Sequence, residues 1–320
     1  MYDTTTMTLA AYQAPNVDFL AEVPCYLSDV AEIVKPSGVV VCGQLDALKV
    51  KVFPDAVRIG DASLCRYFLG SNTKTLTRTD TRQAVEKISD TLHLDVSQAS
   101  VKRLDAGINV KLPHDVSSYL ALLDYTPKYT RIEVAPTTIE YRQGAVGRYY
   151  NQMAFYDKGK EVQAKRAKQT DIKEDDNVLR IERRFLKRIP QQFGMKDVTA
   201  SSLYTEAFYN DIGRRLYDGY KAIRKHTTPP AYTATASLKE VRQLGLYYLM
   251  EDAGGLDAVV KSIKSRQQSK ELTKKQAHDL RAAFLEAARW IEKSTEPDPK
   301  VKILDNLIKT EIGKFCALLI

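Results

Sequence analysis

The sequence predicts an α+β fold, with a largely antiparallel sheet domain over residues 1–194 and an all-helical domain over residues 195–320. Short runs at strand period fill the first 190 residues or so, with few of the long crossovers that parallel pairing needs. From about Met195 that alternation stops and helical periodicity takes over. A chain of 320 residues is also long enough for two domains, since a single core stops growing efficiently beyond about 250–300 residues.

In chain order, strands are expected at residues 7–11, 38–42, 47–53, 56–60 and 64–69, with Pro54-Asp55 turning a hairpin. A helix follows at about 81–94, where Ala84, Val85, Ile88 and Leu92 recur at helical spacing. Next come a strand through Asp105, a helix near 115–123, strands near 130–134 and 137–141, and a strand through Tyr156. A polar stretch over 158–176 and a strand through Glu182 close the domain. Beyond it, helices are expected at 203–225, 237–251, 256–265, 273–292 and 301–315. Pro229-Pro230, Gly254-Gly255 and Pro297-Asp-Pro299 separate these helices, and Ser237 with Glu240 reads as a capping box.

Hydrophobic residues at 44% and charged residues at 28% are ordinary for a soluble globular protein. A net charge of +8 favours an anionic partner, nucleic acid before a membrane. Cys25, Cys42, Cys65 and Cys316 are scattered, with no Cys-x-x-Cys pair, so neither a zinc site nor a disulfide framework is supported. Met1-Tyr-Asp-Thr-Thr-Thr lacks the basic and apolar regions of a signal peptide, and no run approaches the ~20 apolar residues of a membrane span. A soluble, cytoplasmic protein of the reducing interior is expected.

Three runs carry the chemistry. In 103–109, Leu104, Ala106 and Ile108 point one way while Asp105 and Asn109 point the other. In 153–158, Met153 and Phe155 oppose Tyr156 and Lys158; in 178–185, Leu179, Ile181 and Phe185 oppose Arg180, Glu182 and Arg184. If the three share a sheet, one face is core, and the other holds a tyrosine, a lysine and, with Glu161, up to three carboxylates. Carboxylates gathered on one face repel unless something positive lies between them, and Mg²⁺ or Mn²⁺ suits oxygen ligands of this kind. The competing reading is salt bridges, from Glu182 to Arg180, Arg183 or Arg184 and from Asp105 to Arg103. A free tyrosine titrates near pH 10, so a nucleophilic phenol needs cations close by, and Lys158 is expected to supply one along the same strand face. This is equipment for phosphodiester cleavage by a tyrosine.

His93, His114, His226 and His278 include no His-x-His pair, so the histidine-pair metal motif of many strand-nicking enzymes is not matched. Residues 148–188 hold twelve Lys/Arg against seven Asp/Glu, with Tyr149, Tyr150 and Phe155 interleaved, a composition that neutralises phosphates and stacks on unpaired bases. Residues 261–275 hold six cations and one acid, which suits duplex DNA or an exposed solvated face equally; no helix-turn-helix is recognisable there.

Over roughly residues 65–195 these motifs resemble, in order, the replication initiators of the filamentous-phage gene II family, found on phages and plasmids. Phe68-Leu-Gly-Ser-Asn72 resembles the family's Gly-x-Asn segment, Lys102-Arg-Leu-Asp105 its Ser-Arg-Ile-Asp strand, and Thr137-Thr-Ile-Glu-Tyr-Arg142 its Ser-Thr-Val-x-Trp strand. Ala154-Phe-Tyr-Asp-Lys-Gly-Lys-Glu161 matches the Tyr-x-Lys-x-x-Glu element, and Leu179-Arg-Ile-Glu-Arg-Arg184 with Phe193-Gly194 matches the Val-Arg-Phe-Glu element and its trailing Phe-Gly. Residues 1–64 fit loosely and the helical domain hardly at all.

The resemblance implies a rolling-circle initiator with an antiparallel-sheet nuclease fold related to RNA-recognition domains and a divalent metal, Mg²⁺ or Mn²⁺. Carried over by motif, Tyr156 is the nucleophile with Lys158 beside it, and Asp105, Glu161 and Glu182 are the metal carboxylates. Arg103, Arg148, Tyr150, Arg180 and Arg184 are the expected DNA contacts. Tyr150 as a second tyrosine would stand about 20 Å of strand away from Tyr156, too far to cooperate within one subunit. The expected partners are double-strand origin DNA, the displaced single strand, and host helicase and polymerase. The alternatives are a mobilisation relaxase of the same chemistry, or a non-catalytic DNA-binding replication or copy-control protein.

Overall fold

The computed structural model describes all residues except 37, 72, 165–171, 173–175, 227–234, 236, 296–297 and 317–320. Asn72, the Pro229-Pro230 break, Pro297 and most of the polar stretch before Asp176 therefore lie outside the described residues.

Ten strands form one sheet: β1 (Tyr2–Ala10), β2 (Ser28–Lys35), β3 (Gly38–Leu45), β4 (Leu48–Val52), β5 (Ala56–Ser63), β6 (Ser100–Lys111), β7 (Thr130–Ala135), β8 (Thr138–Gln143), β9 (Asn151–Asp157) and β10 (Val178–Phe185). Their order is β2-β3-β4-β5-β1-β6-β10-β9-β8-β7, and every neighbouring pair is antiparallel. The short helices are α1 (Phe19–Glu22), α2 (Leu64–Leu69), α4 (Val116–Leu120), α5 (Lys158–Ala164) and α6 (Ile189–Phe193), and α3 (Arg78–Leu92) is the first long one. The second half is helical: α7 (Glu206–Lys221), α8 (Leu238–Asp252), α9 (Leu256–Gln268), α10 (Lys274–Ser294) and α11 (Pro299–Gly313). The α+β expectation is met.

The short helices α1, α5 and α6 have no counterpart in the expectation, and three further elements differ from it. Residues 64–69 form α2, not a strand: the Ser63 side chain accepts from Arg66 N–H, and Gly70 closes the helix at φ 76°. Strand β2 shows no buried residue on either face, so it carries no alternation to detect, and it is a sheet edge paired only with β3. Strand β1 starts at Tyr2 rather than near Met7, and it lies in the middle of the sheet between β5 and β6.

The apolar face behaves as its period requires. Leu104, Ala106 and Ile108 of β6, Met153 and Phe155 of β9, and Leu179, Ile181 and Phe185 of β10 are all buried in one core. Burying such a leucine or phenylalanine contributes roughly 1.5–3 kcal/mol. Phe208, Ile212 and Leu216 of α7 and Leu304, Ile308 and Ile312 of α11 belong to that same core. The expected boundary at 194/195 is thus a change of secondary structure and not of core, because the sheet's apolar face needs these helices as cover. A separate, smaller core joins α8, α9 and α10 through Leu244, Tyr247, Met250, Leu256, Val259 and Ile291. It is fastened to the sheet side by Arg224, which pairs with Asp124 at 2.6 Å and with Glu292 of α10 at 3.1 Å, and by Lys261 Nζ of α9, which donates to the Arg131 carbonyl of β7 at 2.5 Å. Among the described residues no helix is long and apolar enough to cross a membrane.

Candidate active site

Register assembles the polar face. On β10, Arg180 stands between Asn109 and Tyr156, Glu182 between Gly107 and Ala154, and Arg184 between Asp105 and Gln152. The neighbours of Glu182 are small, and at Gly107 they have to be. A Cβ there would lie 2.5 Å from the Ile181 carbonyl oxygen and 2.9 Å from Glu182 Cγ. Glycine lets Arg180 and Glu182 lie down over the sheet.

Ion pairs tie this face together. Tyr156 Oη donates to Glu182 Oε1 at 2.8 Å, and Arg180 Nε donates to the same oxygen at 3.1 Å. Arg184 Nε donates to Glu182 Oε2 at 2.9 Å. Arg180 also reaches Asp3 Oδ2 at 3.0 Å and Asn109 Oδ1 at 3.2 Å. Arg103 grips both oxygens of Asp105, at 3.0 and 2.6 Å. Lys158 Nζ donates to Glu161 Oε2 at 2.7 Å and lies 5.8 Å from the centre of the Tyr156 ring. These groups line an open cleft of about 400 Å³ walled by Asp3, Asp105, Tyr156, Lys158, Glu161 and Glu182, with Arg103, Arg184, Thr4, Ser63 and Thr138 completing it.

Electrostatics follow from this packing. Burial and the adjacent Glu182 carboxylate push the Tyr156 phenol well above its ordinary value, so the hydroxyl rests protonated. Burial alone would raise Glu182, but the Arg180 and Arg184 guanidiniums outweigh it and hold the carboxyl well below the usual range. Burial lifts Asp105 to about 6 against the pull of Arg103.

Of the expected site residues, Tyr156, Lys158, Asp105, Glu161, Glu182, Arg103 and Arg184 meet in the cleft. Lys158 is not on the tyrosine's strand: β9 ends at Asp157, and Lys158 opens α5, which turns its buried side chain back toward Glu161. The positive charge between the carboxylates comes from arginines, so both salt-bridge readings hold, and among the described residues no three His, Cys, Asp or Glu side chains form a ready-made ion cluster. Arg180, expected to touch DNA, is 2% exposed and fully engaged inside the protein, which makes it a positioning residue. Arg148 is exposed in the β8–β9 loop, and Tyr150 is half-buried just before β9 with the Arg188 guanidinium 5.8 Å from its ring centre.

Asp3 is the residue that sequence reasoning missed. It is buried, holds Arg180 through Oδ2, and leaves Oδ1 without a hydrogen-bond partner. The β-branched run Thr4-Thr-Thr6 marked a strand there that could have drawn it in. Glu140 of β8, which accepts from Arg184 Nη1 at 3.1 Å, was likewise unforeseen as a site residue.

An antiparallel sheet presenting a tyrosine among paired arginines and carboxylates defines a class, and comparison with known families places it among replication-associated proteins. The family model for the N-terminal part of a phage replication-associated protein matches residues 1–206. That match takes in the ten strands and every cleft residue, and the chain belongs to this replication-associated protein family. No curated protein matches the chain. Among solved structures it is similar to a rolling circle replication initiator protein from Geobacillus stearothermophilus, at 15% identity and a TM-score of 0.40, over 72% of this chain and 88% of that one.

Proposed function

We propose that the chain nicks one strand of a double-strand replication origin through Tyr156 and rejoins it at termination. One observation carries this: the Tyr156 hydroxyl is held on Glu182 in an open cleft that also holds Arg103, Lys158 and Arg184, each paired with a carboxylate. Tyr156 Oη attacks the scissile phosphorus in line, the bond from phosphorus to the 3′ oxygen breaks, and the products are a 5′-phosphotyrosine and a free 3′-hydroxyl. The phenol proton passes to Glu182 Oε1, to which it is already hydrogen-bonded. The departing 3′ oxygen takes up one proton from water in the open cleft, and Glu182 returns its own to solvent. Arginine pairing makes Glu182 a weak base, so the phenol keeps its proton at rest and releases it only as the bond to phosphorus forms. Arg184 and Lys158 offset the charge that develops on the phosphoryl oxygens. The phosphotyrosine retains the energy of the phosphodiester, which allows the reverse reaction. The free 3′-hydroxyl suits priming by a host polymerase behind a host helicase.

In donor chemistry the cleft suits Mg²⁺ or Mn²⁺, since its carboxylates are all hard oxygen donors and the buried Asp3 Oδ1 has no hydrogen-bond partner. Asp105, Glu161 and Glu182 are, however, spread among their arginine and lysine partners and must leave them to gather on an ion. Asp105, Glu161 and Glu182 would hold the ion, with Asp3 as a fourth candidate. When bound, it supplies Lewis-acid polarisation of a non-bridging phosphate oxygen and steadies the leaving oxygen. A non-catalytic DNA-binding role is favoured by one observation, the 9% exposure of Tyr156 with its strongly raised phenol.

Incubating the protein with supercoiled origin DNA and Mg²⁺ and looking for a covalent adduct on a denaturing gel separates these readings. Wild type is expected to form the adduct, chelator to prevent it, and Tyr156→Phe to lower its rate at least a thousandfold, on the order of other nucleophile deletions, with an unchanged circular dichroism spectrum. Adduct formation by Tyr156→Phe removes Tyr156 as the nucleophile; no adduct from wild type favours the binding protein.

A further inference from the structure

A second basic surface lies away from the cleft, at the tip formed by the end of α9, the loop 269–273 and the start of α10. Between residues 261 and 282 only Ile263 and Ala277 are buried, with Leu272 half-buried, so this helical hairpin stands out from its small core. It carries Lys264, Arg266, Lys270, Lys274, Lys275 and Arg281 against two exposed acids, Glu271 and Asp279. Glu271 lies 3.5 Å from Arg266. Among the described residues, Lys264, Lys270, Lys274 and Lys275 have no carboxylate within ion-pair distance. Lys274, His278 and Arg281 recur on one face of α10 at helical spacing.

We propose that this tip grips the phosphate backbone of duplex DNA beside the nicking site. Free lysines on a protruding helical hairpin neutralise phosphates and release counterions, which is the sequence-independent part of DNA affinity. Single-strand binding needs aromatic platforms for unpaired bases, and residues 261–282 contain no Phe, Tyr or Trp. The loop between β8 and β9, by contrast, has the half-buried Tyr149 and Tyr150. The attachment of Lys261 to β7 keeps the tip in a set relation to the sheet that carries Tyr156. Strand spacing and helix rise place the tip within about 35 Å of that tyrosine, roughly one turn of B-form duplex.

The test is the salt dependence of binding by the full chain, with a fluorescent duplex of about 30 base pairs that contains no origin, and the matching single strand as control. Lys270→Ala, Lys274→Ala and Lys275→Ala are combined in one variant; all three side chains are exposed, and the thermal melt serves as a check on folding. Duplex affinity is expected to fall about tenfold or more at low salt, and the slope of log K against log salt to become shallower by about 3, while single-strand binding stays unchanged. Lys275→Glu alone should flatten the slope by about 1. An unchanged slope overturns the proposal, and so does an equal loss on duplex and single strand. Nicking is not scored, so failure here and failure of the tyrosine assignment are separate results.

Discussion

In the cleft, Asp105 is gripped by Arg103, Glu182 by Arg180 and Arg184, and Glu161 by Lys158, all on or beside a sheet face that is largely buried. At the α9–α10 tip, Lys264, Lys270, Lys274 and Lys275 stand in solvent with no acidic partner among the described residues. The same kind of side chain does opposite work in the two places. Burying an ion costs several kcal/mol unless close geometry offsets it, so the cleft's charges are there to hold one arrangement of Tyr156 and Glu182. The tip's charges cost little to keep and remain free to meet phosphate. A basic protein can thus be basic for two reasons, and only burial tells them apart.

The comparison breaks most severely at Arg180. Arg180→Ala leaves Asp3 and Glu182 buried without their shared guanidinium, and a loss of about 3–5 kcal/mol in urea unfolding is expected. A loss under about 1 kcal/mol would show that the network is not holding the sheet face in place. Gly107→Ala tests the same geometry from below. Its methyl group would collide with the Ile181 carbonyl, so about 1–3 kcal/mol of stability should go, and adduct formation should fall with it as Glu182 shifts.

Lys225 sharpens the contrast as a half-buried cation with no carboxylate in ion-pair distance among the described residues. Its Nζ donates to the Tyr220 carbonyl at 2.8 Å and lies over that ring. Burial, with the Asp305 carboxylate opposing it, lowers Lys225 to about 8. A folded value below the unfolded one means the native state binds fewer protons between about pH 8 and 10.5, so stability rises with pH across that window. Lys225→Met should then stabilise the protein by on the order of 1 kcal/mol at pH 7, with the gain shrinking as pH approaches 10.5. Parallel urea curves at pH 7 and 10 measure it; a gain independent of pH would assign the effect to packing instead of charge.

Strand faces were legible because side-chain direction alternates with every residue, a local rule that needs no knowledge of neighbours. That is why Asp105, Tyr156 and Glu182 could be placed on one polar face before any pairing was known, and why α3 and the long helices were found near their true limits. Asp3 was not legible as a site residue, because its place depends on β1 pairing with β6, a hundred residues further along the chain. Lys158 was misplaced by one element, since the turn from β9 into α5 comes at its own position. Strand β2 hides in a run with no buried side, and α2 was hidden by a short apolar run that suits either state, with only its Ser63 and Gly70 caps to decide it.

The sequence by itself determined the α+β order of elements, the polar face with its tyrosine, and the family to which residues 1–206 belong. Tertiary structure alone decided which charge faces which. It set Arg180 between Asp3 and Glu182, put the Tyr156 hydroxyl on Glu182, and left the tip lysines unpaired. The reason is physical: alternation and helical period are written in neighbouring residues, whereas an ion pair depends on strand register and burial, which exist only once distant segments have met.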